Sequence, residues 1–159
     1  MKHLNQFITE YIIKKKLEKP IDSEDHYEYY PKSKEELIEN IKELIKQDNY
    51  DFNCIDTSKI TDMSDLFYHS KFETINIDVS NWDVSNVENM SNMFSGCIKF
   101  NCDLSNWNVS NVEDMEYMFV NCKNLKCDLS KWDVSKVKDM TVMFYNCNSL
   151  KNKPSWYKE

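Results

Sequence analysis

A chain of 159 residues, 41% of them hydrophobic, is long enough to bury a core, and we expect one continuous domain. Its net charge is −7 and its 20 basic residues are all lysines, so it has neither a clustered positive footprint nor the arginine fork that reads guanine. Nucleic acid is therefore excluded as the expected partner.

The N-terminal segment MKHLNQFITEYIIKKKLEK does not read as a secretory signal. It lacks an uninterrupted apolar stretch and a small-residue cleavage site, and no later segment approaches a membrane span. We expect a cytoplasmic protein without membrane insertion, with a cell-surface or secreted protein as the alternative if a signal is missing from the sequence. In the cytoplasm, the six cysteines are expected to be reduced thiols.

Two helices are predicted ahead of the rest of the chain. Apolar residues at helical spacing predict an amphipathic helix over 4–19, and the aperiodic stretch 21–32 is interpreted as a linker. Ser33 and Glu36 form a capping box, and the apolar stripe that follows predicts a second helix over 34–47. Both helices are expected to cover an apolar edge of the segment that follows.

The sequence then repeats itself with a period of 25 residues, starting at Asp78, Asp103 and Asp128. A divergent copy precedes these three, with Asp51 matching Asp78 at an offset of 27. A fixed period in this range predicts stacked supersecondary units. The copies are called first (51–77), second (78–102), third (103–127) and fourth (128–152).

Each copy is predicted to contain a short strand followed by a short helix. Ser85 and Glu88 form a capping box ahead of apolar residues at helical spacing, and the segment 100–107 alternates like a strand. The fold class is therefore predicted as α/β, a right-handed solenoid with one strand and one helix per copy. The predicted division is an N-terminal helical cap and linker (1–50), a four-repeat solenoid (51–152) and a C-terminal cap (153–159).

Equivalent side chains of successive copies are expected to stack in ladders. The cysteines form rows rather than the close pairs of a zinc site, so buried thiols are favoured over metal ligands or disulfides. The tryptophans are interpreted as a structural stack, with a binding strip for sugars or peptides as the alternative. The predicted ladder residues are Trp82, Trp107, Trp132, Met90, Met115, Met140, Phe94, Phe119, Phe144, Cys97, Cys122 and Cys147.

No group of residues predicts catalysis. Asp78, Asp103 and Asp128 form a row that could attract calcium, but aspartates that accept backbone N–H bonds in turns are the preferred interpretation. The three histidines lie in different segments, and a chain with one glycine has no Gly-rich phosphate loop. We therefore expect no enzymatic activity, no cofactor and no metal.

The repeated motif resembles that of a known family. WDVSNV, then M-x-x-MF-x-x-C and a return to D-[VL]-S, is similar to the repeat of BspA-like leucine-rich-repeat proteins, first catalogued as a mycoplasma protein of unknown function. The resemblance covers roughly 51–159, and the preceding YYPKSKEELIENIKELI is also similar to the leader of such arrays. It implies a leucine-rich-repeat-like fold without catalysis, used by surface members of the family as an adhesin module.

Positions that vary between copies predict where a partner binds, because stacking does not need them. We expect a non-catalytic scaffold that binds a protein partner through an apolar and aromatic patch; a surface adhesin that binds host or extracellular matrix proteins is the alternative. A polar face around Ser80, Ser105 and Ser130 is a second candidate surface. The predicted partner-binding residues are Tyr68, Tyr117, Val120, Val142 and Tyr145.

Overall fold

The computed structural model describes residues 27–68 and 72–158. The helix predicted over 4–19 lies outside these residues. The helix predicted over 34–47 is confirmed as α1, Lys34–Lys46. Ser33 caps it, since its hydroxyl oxygen accepts the N–H of Glu36 at 3.4 Å, while the Glu36 carboxylate accepts the N–H of Lys32 at 2.7 Å. The capping residues identified from the sequence therefore begin the helix.

Helix α1 packs against the first copy with one apolar stripe. Leu37, Ile41 and Leu44 are at most 3% exposed and belong to the continuous core. The Lys34 ammonium binds the first copy directly, at 3.2 Å from an Asp62 carboxylate oxygen and 2.6 Å from the Ser64 hydroxyl. The helix thus covers one end of the repeated segment.

The predicted α/β, leucine-rich-repeat-like solenoid, with a strand and a helix in every copy, is wrong. In residues 27–68 and 72–158, α1 is the single α-helix, and the copies consist of turns joined by isolated parallel bridges instead of a sheet. The bridges are Tyr29 with Ile55, Asp51 with Asp78, Asp62 with Asn89, Asn89 with Asp114, and Asp114 with Asp139.

Turn-forming side chains and left-handed residues explain why the copies are not helical. The carboxylate of Asp83 accepts the N–H of Ser85 at 3.0 Å, so the predicted helix-capping segment is held in a turn. Asn92 and Gly96 then have φ of 55° and 81°, a left-handed conformation that interrupts a right-handed helix. These local bonds replace the i to i−4 hydrogen bonds that the spacing of apolar residues had suggested.

Backbone hydrogen bonds join each copy to the next. Alternate N–H groups in the second half of one copy donate to carbonyl oxygens of the copy that follows it in sequence. From the second copy, Met90, Asn92, Phe94 and Gly96 donate to Asp114, Glu116, Met118 and Val120 at 2.7–3.0 Å; from the third, Met115, Tyr117, Phe119 and Asn121 donate to Asp139, Thr141, Met143 and Tyr145 at 2.8–3.0 Å.

A column of phenylalanine rings runs through the core between these copies. Phe94 lies 5.5 Å from Phe67 and 5.6 Å from Phe119, and Phe119 lies 5.7 Å from Phe144, with the rings nearly parallel. Phe67, Phe94 and Phe119 are fully buried. Each ring therefore depends on the copies on either side for its burial.

The segment after the fourth copy covers part of that copy. Trp156 stacks on Trp132 at 6.3 Å and its indole N–H donates to the Leu129 carbonyl at 2.9 Å. Tyr157 packs edge-on against Phe144 at 5.0 Å. The tryptophan side of the fourth copy is thus closed.

Candidate functional site

The predicted partner-binding residues differ in how far they reach the surface. Tyr68, Val142 and Tyr145 are 53%, 39% and 65% exposed. Together with Tyr30, they are the exposed large apolar side chains in the described part of the chain. Tyr117 and Val120 are partly exposed.

Hydrogen-bond register brings four of these residues together. Tyr117 donates its N–H to Thr141, and Asn121, which follows Val120, donates to Tyr145, so the third and fourth copies lie side by side here. Tyr68 belongs to the first copy, and Asn92 and the buried Ser95 occupy the equivalent positions between it and the others. The flank patch therefore consists of Tyr117, Val120, Val142 and Tyr145, without Tyr68.

Two members of the flank patch have a backbone conformation that their side chains disfavour. The equivalent position has φ of 55–57° in all four copies, occupied by Asp65, Asn92, Tyr117 and Val142. Asp and Asn adopt this left-handed conformation readily, whereas a β-branched Val there is a conformational outlier. Strained exposed residues of this kind occur preferentially at functional sites.

The fourth copy carries a feature that sequence reasoning missed. The N–H groups of Met140, Val142, Phe144 and Asn146 are equivalent to the donors that join the earlier copies, but within residues 27–68 and 72–158 they have no hydrogen-bond acceptor. We call them the donor row. The signal in the sequence is the 25-residue period, which makes these residues the equivalents of Met115, Tyr117, Phe119 and Asn121.

The donor row borders an open groove. A cavity of about 680 Å³, the terminal groove, lies between residues 138–146 and the segment 153–158. Its apolar walls include Met140, Val142 and Tyr157, and its charged residues are Lys138, Asp139, Lys153 and Lys158. The groove is thus apolar within and predominantly positive at its rim.

Apolar side chains at this end of the fourth copy are incompletely covered. Met140 is partly exposed, whereas its equivalents Met90 and Met115 are fully buried. Val134 and Val137 are partly exposed as well, although the corresponding valines of the second and third copies are at most 1% exposed. The fourth copy therefore has an uncovered apolar face next to the terminal groove.

The predicted ladder tryptophans offer little surface to a ligand. Trp82, Trp107 and Trp132 are each 4% exposed. Their indole N–H groups donate to the carbonyls of Phe52, Val79 and Leu104 at 2.9–3.2 Å, and the rings of Trp107 and Trp132 stack at 6.4 Å. These contacts join one copy to the preceding one.

The predicted cysteine ladder lies in the core. Cys97, Cys122 and Cys147 are at most 8% exposed, and none of the six cysteines forms a disulfide within the described residues. The Cys122 thiol contacts the Phe94 carbonyl at 3.1 Å and the Cys147 thiol that of Phe119 at 2.9 Å. Burial raises the pKa of Cys97 to about 12 and that of Cys147 to about 11. The buried thiols are therefore protonated and unreactive at neutral pH.

The aspartate rows are used by the turns, as the sequence interpretation proposed. Asp103 and Asp128 accept the N–H groups of Ser105 and Ser130 at 3.0 and 2.9 Å. The same hydrogen bonds lower the pKa of both carboxylates.

In the part of the chain that the structure describes, no group of three or more His, Cys, Asp or Glu side chains is arranged to hold a metal ion. No helix within the described ranges has the length and apolar character needed to cross a bilayer.

Comparison with known proteins gives one match. A family model described as "Mycoplasma protein of unknown function, DUF285" matches residues 35–157, which include the greater part of α1, all four copies and the segment that closes the tryptophan side. No curated protein and no solved structure matches the chain.

Proposed function

The chain belongs to the DUF285 family of mycoplasma proteins of unknown function, and from that premise we propose that it is a non-catalytic scaffold that binds another protein. The observation that carries this proposal is the flank patch. It presents apolar and aromatic side chains to solvent on two adjacent copies, with Val142 and Tyr145 39% and 65% exposed.

Physical reasoning favours a protein partner for such a patch. Contiguous exposed apolar surface next to polar residues is typical of interaction sites, and tyrosine is enriched among residues that contribute most to binding. The hydrogen bonds between the third and fourth copies hold the patch rigidly, which reduces the entropy lost on binding. Tyr117 and Val142 of the patch are held in the left-handed conformation.

A surface adhesin that binds host or extracellular matrix proteins is the second candidate. It is favoured by the resemblance of the WDVSNV motif to BspA-like proteins, whose surface members act as adhesin modules. The same flank patch would serve either function, so the identity of the captured protein separates the two.

Affinity capture with substituted chains tests the proposal. The immobilised chain is compared with Tyr117→Ser/Tyr145→Ser in parallel against a cell lysate and a panel of purified extracellular matrix proteins. We expect the double variant to retain about tenfold less of a specific partner, because loss of two central aromatic contacts costs more than about 1.4 kcal/mol.

Tyr30→Ser/Tyr68→Ser is the matched control. It also removes two exposed tyrosines, which are 45% and 53% exposed but lie outside the flank patch, so its capture should equal that of the unchanged chain. Equal capture by all three proteins would refute the flank patch as the binding surface. Specific capture from the matrix panel alone would support the adhesin instead of the intracellular scaffold.

A further inference from the structure

We propose that the terminal groove binds an extended, acidic polypeptide segment, which pairs its carbonyl oxygens with the donor row. This inference rests on the proposed function and specifies the chemistry of the partner. Three features support it: the unpaired donors, the positive rim and the uncovered apolar face.

The donor row requires a partner that supplies acceptors at a fixed spacing. Met140, Val142 and Phe144 occupy the positions from which Met115, Tyr117 and Phe119 donate to the fourth copy. Unpaired N–H groups that become buried without an acceptor are costly, so a partner that covers this face must accept their hydrogen bonds. The carbonyls of alternate residues in an extended chain do this, as in strand addition to an exposed edge.

The third copy shows what such a segment looks like. Its N–H groups donate to alternate carbonyl oxygens of residues 139–145. This stretch of seven residues also places Met140, Met143 and Phe144 against the core. A segment of similar length with apolar residues at comparable spacing would continue the hydrogen bonding by one further step. It would also cover Met140 and Val137, which the present chain leaves partly exposed.

The opposite end of the stack provides a precedent. Residues that do not belong to any copy run along the first copy there: the N–H groups of Glu28 and Tyr29 donate to Cys54 at 2.7 and 3.2 Å, and Asp56 donates to Tyr29 at 2.9 Å. The first copy therefore accepts a non-repeat segment as an added layer along residues 54–56. That segment, EYYP, begins with an acidic residue.

The rim of the groove selects for negative charge. Lys138, Lys153 and Lys158 outnumber Asp139, and the Asp139 carboxylate already accepts the N–H of Thr141 at 2.8 Å. Lys138 pairs with Glu113 at 2.7 Å, but both side chains are at least half exposed, so this ion pair contributes little and can be exchanged. An acidic segment gains favourable electrostatic interactions with this net positive rim, in which the Lys153 ammonium also lies 5.5 Å from the centre of the Tyr157 ring.

Another molecule of this same protein fits the groove less well. The first repeat (51–77) of that molecule would have to contact the donor row. Helix α1 covers that end of the repeat, and Lys34 binds Asp62 and Ser64 there. A phosphate polymer matches the lysines but has neither the apolar side chains for Met140 and Val142 nor carbonyls at alternate residues. The acidic polypeptide is therefore the occupant that satisfies all three features.

The test uses a fluorescein-labelled peptide, VEDMEYMFVN. This is the sequence of residues 112–121, which contains three acidic residues and already supplies carbonyls to the second copy within the chain. Fluorescence anisotropy is measured as the full chain is added, at low and at high salt. We expect saturable binding that weakens at high salt, because the charged contacts are screened.

Charge-matched variants locate the peptide. Lys153→Glu/Lys158→Glu should weaken binding by about tenfold or more, whereas Lys99→Glu/Lys123→Glu, which makes the same charge change at exposed lysines away from the groove, should not. The peptide VQNMQYMFVN, without the acidic groups, should bind the unchanged chain about tenfold more weakly.

Two binding results would overturn the inference: no binding of VEDMEYMFVN at millimolar peptide, or equal weakening of binding by both pairs of lysine substitutions. A stable dimer in sedimentation that the peptide dissociates would also overturn it, because the occupant of the groove would then be another molecule of this protein. Failure here is distinguishable from failure of the proposed function. If the peptide does not bind but Tyr117→Ser/Tyr145→Ser still loses a captured protein, the scaffold proposal stands and the acidic segment does not.

Discussion

Phe119→Ala is expected to lower the free energy of unfolding by about 3–5 kcal/mol, the largest effect of any single substitution considered for this chain. The Phe119 ring is fully buried and lies between Phe94 and Phe144 at 5.6 and 5.7 Å, with Trp132 at 6.3 Å. Its removal leaves a cavity that borders two other copies. Urea denaturation followed by circular dichroism and tryptophan fluorescence measures the loss.

Tyr145→Ala is the control for this prediction. Tyr145 also belongs to the second half of a copy, but its side chain is 65% exposed, so its truncation should change the free energy of unfolding by less than about 0.5 kcal/mol. The two spectroscopic probes should give one coincident transition for Phe119→Ala if the copies unfold together. Similar losses for the two variants would contradict the phenylalanine column as the centre of the core.

The second large effect is expected at alkaline pH, where the buried thiols destabilise the fold. Burial raises the pKa of Cys97 from its ordinary value of 9.0 to about 12 and also raises that of Cys122. Between these values the unfolded chain loses the thiol protons and the folded chain keeps them, so the free energy of unfolding falls as pH rises. Each such thiol contributes a slope of about −1.4 kcal/mol per pH unit above pH 9.

Cys97→Ala/Cys122→Ala isolates this contribution. Other groups titrate in the same range, so the comparison is between slopes of stability against pH and not between absolute stabilities. Below pH 9 the slopes of the two proteins should agree, and above it the variant should be flatter by about 2.7 kcal/mol per pH unit for the two thiols. Identical slopes from pH 9 to 11 would show that these thiols ionise freely in the folded chain.

The 25-residue period predicted many of the buried side chains, although the ladder residue Met140 is partly exposed. Met90, Phe94 and Cys97, which were predicted to stack in ladders, are all at most 1% exposed. The period indicates that equivalent residues of successive copies lie next to each other. This is so whatever local conformation connects them. Burial could therefore be predicted even though the conformation of the copies was predicted incorrectly.

The helical interpretation failed because two structures produce the same pattern. Apolar residues three and four apart face one side of a helix, but they also face one side of consecutive turns interrupted by left-handed residues. In the second copy, Asn92 and Gly96 are compatible with that interruption; in the fourth, Val142 occupies the same conformation against its preference. No propensity rule predicts a left-handed valine; the residues on either side of it, Thr141 and Met143, accept hydrogen bonds from the third copy.

The site was predictable in part. Tyr117 and Tyr145 were selected because their positions vary between copies, and the structure places them on adjacent copies. The donor row was not predicted, because the direction of the hydrogen bonds between copies cannot be read from residue types. Whether the uncovered face of the fourth copy exposes donors or acceptors depends on that direction alone.

Amide hydrogen exchange tests the central claim, an open donor row at the end of hydrogen-bonded copies, most directly. Residue-resolved exchange of the free chain should show protection at the third-copy donors and rapid exchange at their fourth-copy equivalents, since only the former have acceptors among the described residues. The peptide VEDMEYMFVN should then slow exchange in the fourth copy. Equal protection of both rows in the free chain would contradict the account. The protected amides are those of Met115, Tyr117, Phe119 and Asn121, and the open ones those of Met140, Val142, Phe144 and Asn146.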